Sequence, residues 1–146
     1  MNLKFHHVAL RPTAENFDRT MDFYTNVLGF KIAREWTSKL DGVMTRCAMI
    51  DVENGVTIEI FGNGQAGKNL GTIPHFAFET DDVEACLKKC RDAGYLECSP
   101  EGKPVENSMI DLVFTRNPFF AMKIGFVIGA CGEIVEFIQH LSEDEV

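Results

Sequence analysis

The sequence predicts an α+β fold built from two β-α-β-β-β modules, and three features carry that expectation. Phe5-His6-His7-Val8-Ala9-Leu10 reappears about half a chain later as Ile73-Pro74-His75-Phe76-Ala77-Phe78, each a histidine leading a short apolar strand. Each copy runs into a segment with helical apolar spacing. Each half then closes on a strand with one carboxylate among apolar neighbours, Thr57-Ile58-Glu59-Ile60-Phe61 and Ile134-Val135-Glu136-Phe137-Ile138. Repetition at so long a period marks a duplicated structural unit. The expected organisation is a single domain over residues 1–146: module 1 over about 1–62, a linker over about 62–72, and module 2 over about 73–141.

The elements follow in order. After the His7 strand, Thr13 is a reasonable N-cap, and Phe17, Met21, Tyr24 and Leu28 recur at helical spacing. Gly29 stands where a helix-terminating glycine is expected, so the helix should run from Thr13 to Leu28. Phe30 to Thr37 and Val43 to Val52 read as strands, and Asn54-Gly55 as a two-residue hairpin turn into the Glu59 strand. Gly62, Gly64, Gly67 and Gly71 lie among polar residues with no helix start behind them, which reads as a linker rather than a phosphate loop.

Module 2 repeats the plan. Asp81, with Glu84 three residues on, suggests a capping box; Val83, Leu87 and Cys90 form the apolar stripe, and Gly94 closes the helix. Tyr95 to Ser99 reads as a strand. Pro100 to Phe120, with three prolines, reads as a long irregular segment ending in the apolar arm Pro118-Phe119-Phe120. Lys123 to Ile128 and Ile134 to Gln139 should pair about a turn at Ala130-Cys131-Gly132.

Composition bounds the function. The 146 residues are 45% hydrophobic and 25% charged, ordinary for a soluble globular domain. A net charge of −8 without any basic run argues against a nucleic-acid partner bound through a phosphate-neutralising face. The five cysteines are odd in number and lack a CxxC spacing, so they read as packing residues rather than a zinc site or a disulfide framework. With no signal-like start and no long apolar run, the expectation is a cytoplasmic chain without a membrane partner. The Ser142–Val146 tail is acidic and reads as a solvated end.

Alternation along the strands isolates the candidate site. Val8, Ile58, Ile60, Phe76, Val135 and Phe137 share the faces that pack, which leaves His7, Glu59, His75 and Glu136 on the opposite faces. A lone strand histidine is more often a hydrogen-bonded structural residue than a ligand; recurrence at matching positions of both modules favours a divalent metal site. His6 competes with His7, but only His7 occupies the position His75 has in its copy. His140 has no counterpart and reads as solvated. Two imidazoles and two carboxylates suit Ni²⁺, Co²⁺, Zn²⁺ or Mn²⁺ and leave room for water in an octahedral shell. Arg11, four residues beyond His7, is in phase with it.

Phe5-His6-His7-Val8-Ala9-Leu10-Arg11, followed by Phe23-Tyr24-Thr25-Asn26-Val27-Leu28-Gly29-Phe30, resembles the vicinal-oxygen-chelate superfamily. Its members include glyoxalase I, bleomycin-resistance and fosfomycin-resistance proteins, methylmalonyl-CoA epimerase and extradiol dioxygenases. The resemblance covers essentially the whole chain and implies two such modules whose sheets curl around a shared metal cavity. His7, Glu59, His75 and Glu136 match the metal ligands of bacterial glyoxalase I, whereas epimerases usually carry glutamine at the position of Glu59. The resemblance further implies Ni²⁺, then Zn²⁺, as the ion; Glu136, with Glu59 the alternative, as the catalytic base; and Arg11 and Asn63 as the residues holding the γ-glutamyl end of a glutathione-derived substrate. It also implies a homodimer acting on a small molecule, a methylglyoxal–thiol hemithioacetal.

Three departures stand out. Glu106 falls near a position where glyoxalase I has a basic residue, the turn before the last strand is Gly129-Ala130-Cys131-Gly132, and the preceding loop is longer. The alternatives are a metal-free binding protein of the bleomycin-resistance kind, or another metalloenzyme such as an epimerase. A dioxygenase, which uses two histidines and one glutamate, is disfavoured by Glu59.

Overall fold

The computed structural model describes residues 2, 5–40, 42–65, 75–114 and 119–146, the side chains of Phe114 and Phe120 excepted. The expected linker residues Gly67 and Gly71, the Ile73-Pro74 start of the second copy, and Pro118 of the apolar arm lie outside the described residues; Phe119 is half-buried. The chain divides into two compact units, Met1–Leu70 and Gly71–Val146.

In the first unit, β1 (His7–Leu10), β2 (Lys31–Leu40), β3 (Val43–Asp51) and β4 (Thr57–Phe61) form one sheet in the order β1-β4-β3-β2. β1 runs parallel to β4, and the other neighbours are antiparallel. Between β1 and β2 the expected single helix is three joined pieces: a 3₁₀ turn over Ala14–Asn16, α1 (Phe17–Asp22), and a π-helical turn over Phe23–Val27. Thr13 does cap it, its Oγ1 accepting from Asn16 N–H at 3.2 Å. Within the helix Thr25 Oγ1 donates to the Met21 carbonyl at 2.7 Å, competing with the backbone for that acceptor. Leu28 N–H then reaches back five residues to the Phe23 carbonyl at 2.9 Å. The widened turn keeps Phe23, Tyr24 and Val27 all buried beside Phe17, Thr20 and Met21.

Ile58 and Ile60 of β4, with Ala48 and Ile50 of β3, are also fully buried. The predicted two-residue turn at Asn54-Gly55 is instead three residues in the left-handed region, Glu53, Asn54 and Gly55. Asp51 Oδ1 accepts from Glu53 N–H at 2.8 Å and draws that residue into the turn.

In the second unit, β5 (Phe76–Glu79), β6 (Ile110–Phe114), β7 (Phe120–Ile128) and β8 (Ile134–His140) repeat the arrangement in the order β5-β8-β7-β6, with β5 and β8 parallel. α2 (Val83–Asp92) is capped one residue later than expected: Asp82, not Asp81, accepts from Ala85 N–H at 3.0 Å. Glu84 is drawn from the capping box to Arg91 Nη2 at 2.9 Å. At the other end Tyr95 N–H reaches the Cys90 carbonyl and Gly94 N–H the Arg91 carbonyl, a closure that needs the positive φ of Gly94. Val83 and Leu87 pack on β7, where a Cβ at Gly125 would lie 2.8 Å from Leu87 Cδ1.

Two expectations in this unit are corrected. Tyr95 to Ser99 forms only single bridges, Glu97 to Val127 and Cys98 to Pro104, with the Glu97 carboxylate bonded to Ser108 and Arg91. The Pro100 to Phe120 segment is not irregular throughout; Ile110-Asp111-Leu112-Val113-Phe114 is β6, paired with β7. The cysteines are free thiols, Cys47, Cys90 and Cys98 buried and Cys86 and Cys131 partly so. Among the described residues no helix is long and apolar enough to cross a membrane.

Candidate metal centre

Each unit brings its own histidine to its own glutamate. In the first, Glu59 stands on β4 between the buried Ile58 and Ile60, so its side chain faces away from them. Its Cα partner on β1 is Ala9, two residues beyond His7, so His7 and Glu59 are diagonal neighbours on one face. His7 Nε2 lies 2.9 Å from Glu59 Oε2. Buried Cys47 occupies the same face of β3, and its thiol is pushed up first by burial and then by the negative charge of Glu59.

The second unit repeats this relation residue for residue. Glu136 has Ala77 as its Cα partner, two residues beyond His75, and His75 Nε2 lies 2.8 Å from Glu136 Oε2. The surroundings are more apolar. Phe126 of β7 is the antiparallel partner of Glu136, and its ring meets the His75 ring edge-on at 5.8 Å. Phe126 belongs to a cluster with Cys98 and Ile124, against which Leu112, Met122 and Ile138 pack. Glu136 is only 8% exposed.

Arg11 and Asn63 also come together, Arg11 Nη1 donating to Asn63 Oδ1 at 3.5 Å, with the guanidinium 5.7 Å from the Phe61 ring centroid. The contact depends on a close backbone approach. Gly64 N–H donates to the Pro12 carbonyl at 2.9 Å, and any side chain on Gly64 would run into the Arg11 carbonyl oxygen. His140 ends β8 and is exposed. Glu106 is exposed in the loop before β6.

Sequence reasoning missed three supporting residues. His6 Nδ1 lies 2.8 Å from His7 Nδ1, although it was set aside as a competitor. Phe126 braces His75, which no local pattern announces. Glu97 is almost fully buried and accepts from Ser108 N–H, Ser108 Oγ–H and Arg91 Nη1 at 2.7–2.9 Å. Ser108 Oγ in turn accepts from Phe126 N–H at 2.9 Å, so this network anchors the loop to the strand position opposite Glu136. Burial alone would push the Glu97 carboxyl up, but these hydrogen bonds outweigh it and hold it below its usual range. The available signal was one glutamate inside an otherwise apolar Tyr95-Leu96-Glu97-Cys98 run.

The donor pairs suit a divalent ion. Imidazole nitrogen and carboxylate oxygen are its ordinary ligands, and two donors each about 2.1 Å from an octahedral ion lie roughly 3.0 Å apart when adjacent. The 2.9 and 2.8 Å separations match that edge. The same spacing also suits a hydrogen bond from His Nε2–H to the carboxylate. Within either unit, among the described residues, no three His, Cys, Asp or Glu side chains gather at one point. Each unit therefore offers two donors.

A family model for the glyoxalase/bleomycin resistance protein/dioxygenase superfamily matches residues 4–119. Among solved structures, fosfomycin resistance protein FosX of Listeria monocytogenes, complexed with Mn(II) and sulfate, aligns with a TM-score of 0.67 at 13% identity, covering 99% of this chain and 98% of that one. A glyoxalase family protein of Bacillus cereus gives 0.66 at 14% identity, covering 97% of each chain. The trypanothione-dependent glyoxalase I of Leishmania major gives 0.63 at 17% identity, covering 94% of this chain and 87% of that one. At these identities the likeness is one of fold. A curated relative, probable polyketide synthase 10 of Dictyostelium discoideum, is 27% identical over 88 residues, 53% of this chain; the chain spans 4% of that protein's length. Two units of identical strand order, each pairing its first and last strands in parallel, together with the match over residues 4–119, establish that the chain belongs to the glyoxalase/bleomycin resistance protein/dioxygenase superfamily.

Proposed function

We propose that the protein is a metal-dependent isomerase of the glyoxalase I kind, with His7, Glu59, His75 and Glu136 as the donors for one divalent ion. The observation that carries this reading is the repeated pair: in both units a histidine Nε2 faces a glutamate Oε2 at 2.8–2.9 Å in the same register. Ni²⁺ or Zn²⁺ is the favoured ion, and Co²⁺ or Mn²⁺ would accept the same ligands. When bound, the ion supplies Lewis acidity, polarising a carbonyl so that the neighbouring C–H becomes acidic. The substrate class is a hemithioacetal of methylglyoxal and a thiol, rearranged to a lactoyl thioester.

The chain's own contribution is proton transfer and positioning. Glu136 takes the proton from one carbon and returns it to the next, so no net proton is gained or lost. Its apolar surroundings limit the water that could exchange with that proton. Glu59, beside His7, is the alternative base. Arg11 and Asn63 hold an anionic end of the thiol. A homodimer is part of the reading, supported by the exposed apolar side chains Ile32, Val43 and Met44 around the edge of the first sheet.

The test is metal content of protein purified without chelator, followed by turnover of the hemithioacetal before and after metal restoration. Stoichiometric metal with metal-dependent turnover supports the proposal. A second reading, a metal-free small-molecule binder, is favoured by one feature: each His–Glu pair is already a complete hydrogen bond. Protein that takes up no metal and turns nothing over would select that second reading.

A further inference from the structure

We propose that His6 holds the tautomer complementary to that of His7 across their Nδ1–Nδ1 contact, and that the two rings exchange tautomers when a divalent ion enters the first unit's donor pair. This rests on the divalent-site reading above.

Protons on His7 must be counted at both of its nitrogens. His7 Nε2 meets Glu59 Oε2 at 2.9 Å, and His7 Nδ1 meets His6 Nδ1 at 2.8 Å. A neutral imidazole carries one N–H, so it can donate at only one of the two contacts. Without metal, the carboxylate accepts only, which places the His7 proton on Nε2. The contact between the two Nδ1 atoms then requires a proton from His6. With an ion on Nε2, the His7 proton sits on Nδ1, and His6 must accept there. One side chain has to donate in one state and accept in the other through the same atom, which imidazole does by changing tautomer.

The exchange balances. His6 passes its Nδ1 proton to His7 Nδ1, His7 releases its Nε2 proton to water, and exposed His6 takes one from water at its own Nε2. Each ring loses one proton and gains one.

The placement of His6 is built rather than incidental. His6 stands one residue ahead of β1, so its side chain is not committed to the opposite face as a strand neighbour would be. Its carbonyl accepts from Thr57 N–H at 3.0 Å, which ties its backbone to β4, the strand of Glu59. The two imidazoles meet edge-to-face at 5.0 Å and 82°. His75 is braced at the same 82° by Phe126, a ring with no proton to exchange. His6 is therefore a positioning residue specific to the first unit.

The experiment uses the full-length chain, metal-free and with Zn²⁺ alone. Long-range ¹H–¹⁵N spectra report the tautomers of His6 and His7, and competition with a chromophoric chelator reports zinc affinity. Wild type should show His7 as Nε2–H without metal and Nδ1–H with zinc, His6 changing in the opposite sense. His6→Phe keeps a ring edge against His7 but has no nitrogen, and should bind zinc about 10–100-fold more weakly. His6→Asn, whose amide both donates and accepts, should recover most of that loss. Wild-type zinc affinity in His6→Phe, or a His7 tautomer that does not change with zinc, would overturn the proposal. If wild type takes up no zinc, the divalent-site reading falls and the exchange with it; a metal-free His6 found as Nδ1–H beside an Nε2–H His7 would then support the complementary pairing alone.

Discussion

His75 Nε2 and Glu136 Oε2 meet at 2.8 Å with the carboxylate sunk to about one-tenth exposure and the imidazole about one-third open. The pair thus has a wet side and a dry side, and the carboxylate is the dry partner. His7 and Glu59 show the same polarity less sharply, at 40% and 15%. A group that must exchange a proton with substrate rather than solvent belongs on the drier side, which favours Glu136 over Glu59 as the base.

Glu136→Gln keeps an oxygen ligand of nearly the same shape but removes the proton acceptor. The expected outcome is retained metal with turnover lowered about 10²–10⁴-fold. Glu59→Gln, measured alongside, should lose metal and turnover together. Equal turnover in metal-replete Glu136→Gln and wild type would reject this assignment of the base.

Arg11→Ala should raise KM for hemithioacetals of anionic thiols about 10-fold or more with kcat little changed, the pattern of lost uniform binding. Hemithioacetals of neutral thiols should show no such change. Gly64→Ala should act in the same direction, because its Cβ would force the Arg11 backbone away from Asn63. Steady-state kinetics on the two thiol classes checks both.

Glu97 should shape the acid limb of stability. Its carboxyl lies below the usual range in the folded protein, so its stabilisation is complete above the ordinary glutamate pKa and is lost as pH falls through the lower folded value. Glu97→Gln should cost about 1.5–3 kcal/mol at neutral pH, through the weakened Ser108 and Arg91 bonds. The difference from wild type should shrink as pH drops below the carboxylate range. Urea titrations at pH 7 and at acid pH measure it; a pH-independent difference would contradict the assignment.

Gly125→Ala would press a methyl group against the buried Leu87 and Val83 side chains, which would have to shift. A loss of about 1–3 kcal/mol, seen as a lowered Tm, is expected. The crowding falls on the α2 side of β7, whereas Phe126 faces His75, so metal content should not change.

The repeat and the strand alternation were legible because period-2 patterns and matching positions survive in the bare sequence. Other features depended on competition that a linear pattern does not display. Asp82, not Asp81, caps α2, and Glu84 pairs with Arg91 rather than with the cap. The Thr25 hydroxyl takes the Met21 carbonyl within a helix that reads as uniform. β6 lies in a segment where prolines on either side hide five residues of ordinary strand. Glu97 lies in a run that reads as strand, but Ser108 N–H and Oγ–H, both buried, and the Arg91 guanidinium hold its carboxylate inward.

The parallel pairing of first with last strand has a consequence for the order of assembly. β1 touches only β4 in its sheet and β5 only β8, so each donor pair spans nearly the whole of its unit. Closing so distant a contact costs chain entropy that local turns and hairpins do not, and such contacts form late. The donor pairs are thus the final stitches of their units, and the N-terminal pair can close on a growing chain before β8 has been synthesised. An ion recruited by either pair would bind a unit that had already folded, and would lock in the finished state rather than guide the search for it.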